Sequence, residues 1–156
     1  MIDVKQKRLF LGNDHGAIVI RPAVIQAAKL LGFEILDFGT DSVESVDYPC
    51  YAKKVCDALK DNAGIGILMC GTGIGVSIAA NRYRHIRAAL CHEEQEAQLA
   101  RQHNNANVLC LGGRILTPEM AAKLTNLFLT STFEGGRHQK RIDLIDTIDN
   151  LDDLTC

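Results

Sequence analysis

Residues 64–75 read GIGILMCGTGIG, and this stretch decides the fold. Its first seven residues form an almost uninterrupted apolar run, which is typical of a strand that is covered on both faces of a parallel sheet. The glycine-rich turn that follows, from Gly71 to Gly75, leads into a helical pattern over about 74–83. A buried strand, a tight turn and a helix in this order predict one unit of an α/β protein.

Similar units lie on both sides of this one. Strands are predicted at 8–13, 33–39, 87–91 and 107–113, and helices at about 22–31, 49–60, 93–104 and 117–130. Because parallel strands need a crossover connection, five successive units predict a five-stranded parallel sheet with helices on both faces. No linker or repeat divides the chain, so residues 1–156 are expected to form a single domain.

The C-terminal stretch departs from this pattern. Apolar residues recur there at every third position, and each of the first four is followed directly by an aspartate. The apolar members are Ile142, Ile145, Ile148, Leu151 and Leu154, and the acidic ones are Asp143, Asp146, Asp149 and Asp152. An amphipathic helix explains the pattern, folded either onto its own domain or onto a second subunit. We favour a second subunit for this tail, residues 138–156, because it extends beyond an already complete α/β unit.

Composition excludes several classes of partner. Seventeen basic and 19 acidic residues give a net charge of -2, so neither nucleic acid nor an anionic membrane is attracted overall. No stretch reaches the roughly 18 apolar residues of a membrane span. The six cysteines include no CxxC pair and the N-terminus lacks a secretory apolar run, so we expect a reducing cytoplasm. Cys91 and Cys110 lie in apolar runs and are expected to be buried.

Candidate site residues follow two of the predicted strands. Asn13-Asp14-His15-Gly16 follows the first strand and Cys70-Gly71-Thr72-Gly73-Ile74-Gly75 the third. Ligands of open α/β sheets bind at these carboxyl ends. The glycines do not match a dinucleotide fingerprint, and the turn has no Walker lysine. Its backbone N–H groups can still bind phosphate or an oxyanion, although a plain strand-to-helix turn is the alternative.

Cysteine and histidine chemistry adds further candidates. Cys70 opens the turn beside backbone donors that favour the thiolate, which can act as a base; a structural buried cysteine is the alternative. Arg137 and Arg141 are four residues apart and can share one helical face, a spacing that suits capture of a phosphate. A zinc site is not expected, because HExxH is absent and His92 with Glu96 supplies only two ligands.

Six motifs then occur in order: NDHG (13–16), DYP (47–49), CGTGIGVSIAAN (70–81), RQHN (101–104), NVLCLGGR (107–114) and EGGRHQKR (134–141). Together they resemble the type B ribose-5-phosphate isomerase family, which also contains galactose-6-phosphate isomerases, and the resemblance runs from residue 8 to about 145. It implies a Rossmann-like three-layer α/β/α sandwich that interconverts an aldose phosphate and a ketose phosphate. It also implies a homodimer or a dimer of dimers, with active sites shared between subunits and no metal or nucleotide cofactor.

The resemblance implies a role for each matching residue. Cys70 would remove the C2 proton of the open-chain sugar, Thr72 would support Cys70 by hydrogen bonding, and His103 would assist ring opening. The residues expected to contact the substrate are Asp14, His15, Tyr48, Gly71, Gly73, Ile74, Gly75, Asn104, Arg114, Arg137, His138 and Arg141.

These contacts differ in their expected targets. Asp14 and Asn104 would contact sugar hydroxyls, and the backbone from Gly71 to Gly75 would hold the developing ene-diolate oxygen. The phosphate would be surrounded by His15, Arg137 and Arg141, with Arg114 and His138 nearby. In the family, His103, Asn104 and the C-terminal arginines come from the neighbouring subunit.

Two departures within the family bear on the base and on the substrate. Some members lack the cysteine and carry a glutamate where this chain has Val76; because Val76 cannot act as a base, the assignment of the base to Cys70 is less ambiguous. Galactose-6-phosphate isomerases divide the cysteine and the histidine between two chains, whereas this chain has both Cys70 and His103, which favours ribose 5-phosphate as the substrate. Allose 6-phosphate is an alternative, since one extra carbon needs only a slightly larger pocket.

Two further classes of function stay open at this point. A non-catalytic sugar-phosphate sensor needs only the glycine-rich turn and the arginines, and it leaves Cys70 and His103 without a role. A thiol redox protein built on Cys70 lacks a resolving cysteine at CxxC spacing.

Overall fold

A computed structural model describes residues 7–148. The strands are β1 (Arg8–Asn13), β2 (Glu34–Asp37), β3 (Ile65–Cys70), β4 (Ala88–Leu90) and β5 (Val108–Gly112). The helices are α1 (Arg21–Leu30), α2 (Tyr48–Asp61), α3 (Ile74–Ala80), α4 (Glu94–Gln102), α5 (Pro118–Thr130) and α6 (Arg137–Asp146). The predicted alternation of strands and helices is confirmed, with boundaries shifted by a few residues.

The five strands form one parallel sheet in the order β2-β1-β3-β5-β4. β3 lies at its centre with all six residues buried, as its apolar run predicts. From β1 the chain first adds β2 on one side and then returns to add β3 on the other. Such a reversal leaves a crevice outside the carboxyl ends of β1 and β3, which is where α/β proteins bind ligands.

The core has two parts, one on each face of the sheet. Leu9 and Leu11 pack with Leu124 and Phe128 of α5 on one face, whereas Phe10 packs with α2 and α3 on the other. This alternation follows from the two-residue period of a strand. The predicted three-layer α/β/α sandwich is therefore confirmed.

The C-terminal helix differs from the prediction. α6 begins at Arg137, so the basic segment is part of the helix, and it ends at Asp146, before Ile148. Ile142 is 3% exposed, but Ile145 and Ile148 are 49% and 52% exposed. The helix therefore packs on its own domain at one position and leaves further apolar surface uncovered. Leu151, Leu154, Asp149 and Asp152 lie outside the described residues.

Three cysteines are packing residues. Cys56, Cys91 and Cys110 are 0%, 1% and 0% exposed. Burial raises the pKa of Cys56 and of Cys91 to about 12, and it raises the pKa of Cys110 as well. These thiols therefore stay protonated at neutral pH, and the expected burial of Cys91 and Cys110 is confirmed.

Helices that could cross a membrane are not found between residues 7 and 148, where each helix is too short or too polar to do so.

Candidate active site

Cys70 lies at the carboxyl end of the central strand, at the edge of one hydrophobic core and beside the glycine-rich turn. Its side chain is nearly buried, at 4% exposure, and its Sγ accepts a hydrogen bond of 3.2 Å from the backbone N–H of Gly73. Thr72 is exposed, and its hydroxyl accepts from the N–H of Ile74 at 3.3 Å. The hydrogen-bond partner of the Cys70 thiol is therefore the backbone of the glycine-rich turn.

The turn depends on a glycine at its third position. Gly73 has a φ of +78°, and a β-carbon there would lie 2.5 Å from Cδ1 of Leu90 and 2.9 Å from the carbonyl carbon of Leu111. Both the left-handed conformation and the close packing require glycine. The turn can therefore bring its N–H groups to Cys70 only because no side chain stands at position 73.

The loop after β1 packs directly against this turn. A β-carbon on Gly16 would lie 2.8 Å from the nitrogen of Gly71, so the two backbones are in contact. Asp14 is 5% exposed; its backbone N–H donates to Met69 at 3.1 Å, and its Oδ1 accepts from the N–H of Gly16 at 2.8 Å. A carboxylate is thereby fixed beside the turn that holds Cys70.

Three larger side chains complete the wall of this crevice. Arg114 lies over Gly71, with Nη1 3.1 Å from the position of a β-carbon there. The ring of Tyr48 packs even more closely over Gly75, where a β-carbon would lie 2.5 Å from Cζ of the tyrosine. His15 accepts at Nδ1 from the N–H of Val46, 3.2 Å away. In a neutral ring Nε2 then carries the proton and can donate it to an anion.

We name these residues the carboxyl-edge group: Asp14, His15, Tyr48, Cys70, Gly71 to Gly75, and Arg114. Eight of the expected substrate-contacting residues are brought together here, along with the expected base Cys70 and with Thr72.

The loop that leads to Tyr48 is held by a network that sequence reasoning missed. Asn13 is fully buried; its Nδ2 donates to the carbonyl oxygen of Thr40 at 2.7 Å, and its Oδ1 accepts from Arg21 at 2.6 Å. Arg21 also forms an ion pair with Asp37 at the end of β2. Burial opposes ionisation of Asp37, but hydrogen bonds from Arg21 and Gly39 outweigh it and lower the pKa of this carboxyl.

The remaining expected residues lie at the other edge of the sheet. α4 begins after β4 ends and leads into the start of β5, so its last residues lie at the amino ends of the strands. His103 caps this helix, with its N–H donating to Leu99 at 2.8 Å. The guanidinium of Arg87, which precedes β4, donates to the carbonyl oxygens of Asn104 and Asn105. Arg87 therefore holds the turn that carries His103 and Asn104.

His138 is stacked on His103. The ring centroids are 4.1 Å apart with an interplanar angle of 10°. Glu134 lies beside both rings, with Oε2 3.8 Å from Nε2 of His103 and 3.6 Å from Nε2 of His138. The sequence prediction missed Glu134, although its position four residues before His138 inside the EGGRHQKR motif is the signal that could have identified it.

Arg137 and Arg141 stand on either side of His138 along α6, and both are exposed. The prediction that they share a helix is confirmed. We name this second set, which contains His103, Asn104, Glu134, Arg137, His138 and Arg141, the amino-edge group.

The two imidazoles and the carboxylate are the kind of set that can bind a metal. Their ligand atoms lie within 4.8 Å of one another. A zinc ion, however, needs nitrogen lone pairs that converge on one point about 2.0–2.1 Å away. Stacked rings hold their lone pairs in nearly parallel planes, so His103 and His138 cannot both ligate one ion in this arrangement. The geometry fits an acid–base pair better than a metal site.

The two groups cannot meet within one chain. Cys70 ends β3, whereas His103 precedes the start of β5, and these strands run parallel in register from Gly66 opposite Val108 to Cys70 opposite Gly112. At about 3.3 Å per residue, the two edges are roughly 15–20 Å apart. One copy of the chain therefore presents two separate half-sites.

Comparisons with known proteins identify relatives of this chain. The sequence profile of the Ribose/Galactose Isomerase family matches residues 9–145. Ribose-5-phosphate isomerase B of Escherichia coli (strain K12) is 42% identical over 144 residues, which are 92% of this chain and 97% of that protein.

Solved structures are similar along nearly the whole chain. A ribose 5-phosphate isomerase from Thermotoga maritima is 51% identical, with a TM-score of 0.84, and the match covers 89% of this chain and 97% of that one. The type B ribose 5-phosphate isomerase of Leishmania infantum is 45% identical, with a TM-score of 0.85, covering 93% and 97%.

Proposed function

The chain belongs to the ribose/galactose isomerase family, and from this membership we propose that it is an isomerase that interconverts ribose 5-phosphate and ribulose 5-phosphate. The relatives described above carry the name of this activity. The observation that carries the proposal within this chain is the thiol of Cys70, held by the Gly73 N–H in the crevice between β1 and β3. A sugar-phosphate sensor would have no use for such a thiol.

The reaction begins with ring opening. His103 takes the proton of the C1 hydroxyl, and the stacked His103–His138 pair returns a proton to the ring oxygen. The bond between C1 and the ring oxygen then breaks, and an open-chain aldehyde forms. Asp14 and Asn104 hold the sugar hydroxyls during this step. General acid–base catalysis of this kind contributes on the order of 10²–10⁴-fold in rate.

Proton transfer between the carbons follows. The Cys70 thiolate removes the C2 proton, and the electrons move to the aldehyde oxygen to give an ene-diolate. Backbone N–H groups between Gly71 and Gly75 stabilise that oxygen, and Thr72 supports the thiol. Cys70 then returns the proton to C1 while the proton of the C2 hydroxyl passes to the oxygen on C1, which yields the ketose.

The phosphate is bound by cationic groups at the far end of the substrate. His15 and Arg114 belong to the carboxyl-edge group, and Arg137 with Arg141 approach from the amino-edge group. Guanidinium groups suit this role because they bind phosphate through two parallel hydrogen bonds. His138 contributes through His103 rather than through the phosphate, since it is buried against that ring.

Such a site requires two copies of the chain. The carboxyl-edge and amino-edge groups of one copy are too far apart to act on one sugar, so the partner subunit's His103 completes the site that contains Cys70. We therefore propose a homodimer, alone or within a dimer of dimers, with two equivalent sites. The exposed apolar residues of α6 and the tail that follows it are proposed to pack on the partner.

We also propose a reducing cytoplasm as its compartment. Cys56, Cys70, Cys91 and Cys110 are buried free thiols, which persist where disulfides are kept reduced.

The test is isomerisation and solvent exchange by Cys70→Ala. We expect the variant to fold and to lose both ribulose 5-phosphate formation and incorporation of solvent deuterium at C2. Cys110→Ala, in the neighbouring strand, removes an equally buried thiol and should stay active. Full activity of Cys70→Ala would contradict the proposed base. Faster turnover of allose 6-phosphate than of ribose 5-phosphate by the unmodified chain would contradict the assignment of ribose 5-phosphate as the substrate.

A further inference from the structure

Glu134 is fixed at the end of α4 by its own backbone. Its N–H donates to the carbonyl oxygen of Gln102 at 3.0 Å, directly beside the position of His103. Gly135 and Gly136 follow with φ values of +66° and +56°, and this turn starts α6 so that His138 returns to the same place. The local fold therefore delivers one carboxylate and two imidazoles to one point from three different segments.

Among the residues that the structure describes, Glu134 is the one carboxylate whose charge acts on His138. The groups that face His138 are His103 from α4, Arg137 and Arg141 from α6, and Glu134 from the preceding turn. Burial, then the charges of His103 and Arg137, lower the pKa of His138, and Glu134 opposes them. Two imidazolium rings 4.1 Å apart repel each other, so a positive charge on one ring disfavours a positive charge on the other.

We propose that Glu134 is a positioning residue for ring opening: its carboxylate keeps the stacked His103–His138 pair aligned and offsets the positive charge that the pair gains. The inference rests on the proposed function, because it deepens the step assigned to His103. When His103 takes the C1 hydroxyl proton it becomes an imidazolium that is stacked on a second imidazole. The Glu134 carboxylate, 3.8 Å away, stabilises that charge until the proton passes to the ring oxygen.

His138 has a matching part in this scheme. Only 10% of its side chain is exposed, and its Nε2 lies 3.6 Å from the same carboxylate oxygen. Its neutral ring is a flat wall against which His103 stacks, which limits rotation of the acid–base group. Partners that orient metal-bound histidines contribute about 10–100-fold to metal affinity or activity, and we take the same scale for the orientation of His103.

The test compares Glu134→Gln, Glu134→Asp and Glu119→Gln. Glu134→Gln keeps the size of the side chain but removes the charge, and we expect kcat for ribose 5-phosphate to fall about 10–100-fold with little change in KM. Glu134→Asp keeps the charge and should retain more activity than Glu134→Gln. Glu119, an exposed carboxylate at the start of α5, is the control for loss of one negative charge and should stay unchanged.

A second substrate separates positioning from a general structural effect. Erythrose 4-phosphate cannot close a five-membered ring, because its C4 oxygen carries the phosphate. Deuterium exchange at its C2 should therefore be nearly the same in Glu134→Gln and in the unmodified chain. Equal losses on the cyclic and the open-chain sugar would overturn the inference, and so would an unchanged kcat on ribose 5-phosphate.

Histidine titration by NMR gives a readout that does not depend on activity. Loss of the Glu134 carboxylate should move the titration of His138 to lower pH, while Glu119→Gln leaves it in place. An unmoved His138 titration would overturn the inference. A chain that does not isomerise ribose 5-phosphate at all, but whose His138 responds to Glu134→Gln, would instead contradict the proposed function.

Discussion

Mixing two inactive variants tests the separation of the half-sites most directly. Cys70→Ala removes the base at one edge of the sheet, and His103→Ala removes the acid–base group at the other. Each homodimer then lacks the same group in both sites. In a mixed dimer, the intact Cys70 of one chain meets the intact His103 of the other at one site, while the second site lacks both.

The expected recovery follows from counting. Random pairing of equal amounts gives about half mixed dimers, and each has one complete site of two, so activity should return to about a quarter of the unmodified level. This figure depends on the roughly 15–20 Å between the edges, which no side-chain motion within one chain can bridge. A site contained in one chain would give no recovery, since every chain carries a defect.

The assay is ribulose 5-phosphate formation before and after subunit exchange. The two variants carry different affinity tags, and native mass spectrometry measures the fraction of mixed dimers in the same sample. Activity should rise in proportion to that fraction. Mixed dimers that are no more active than the two separate variants would refute the reasoning. Cys70 and His103 of the same chain would then have to act in one site. A monomeric mass with full activity in the unmodified chain would refute it as well.

Two further predictions concern the framework of the site. Gly73→Ala should lower the free energy of unfolding by about 2–4 kcal/mol, because it combines a left-handed conformation with overpacking against Leu90 and Leu111. Gly135 has a similar φ but no atom within 4 Å of an added β-carbon, so Gly135→Ala should lower the free energy of unfolding by only about 1–2 kcal/mol. Equal losses for the two variants in urea unfolding would contradict this expectation. The stabilisation by Asp37 should be fully present above the ordinary carboxyl pKa of about 3.9 and should disappear as the pH falls through the lowered pKa of the folded state. The measurement is the difference in free energy of unfolding between Asp37→Asn and the unmodified chain as a function of pH. A difference that stays constant from neutral to acid pH would contradict the role of the ion pair.

Much of the fold could be predicted because its signals are local. The apolar run at 64–70 requires cover on both faces, and the structure places it at the centre of the sheet. Residues that end helices and the glycines of tight turns likewise determine the backbone only within a few neighbouring residues, so they can be recognised in the sequence. The order β3-β5-β4 at one side of the sheet could not be predicted, since it depends on which strands pack best and not on any one segment.

The site could be predicted in part for the same reason. Asp14 and Cys70 follow strand ends, so the rule for parallel sheets brings them together. Glu134 and Arg87 were missed because their importance comes from neighbours that are distant in sequence, the end of α4 for one and the turn at Asn104 for the other. The start of α6 could be predicted in part, because the spacing of Arg137 and Arg141 indicates a shared helical face. Its end at Asp146 could not, because the apolar repeat of the sequence continues past that residue.

The buried cysteines have a consequence for chemical labelling. An electrophile reacts with thiolates, and the thiols of Cys56 and Cys91, with pKa values of about 12, offer almost none at neutral pH. Cys110, buried beside them, is protected in the same way. Among the described residues, that leaves the exposed Cys50 and the crevice thiol of Cys70. A covalent inhibitor shaped like a sugar phosphate would therefore react with Cys70, because packing protects the other buried thiols. Among the described residues, Cys50 is the one competing thiol.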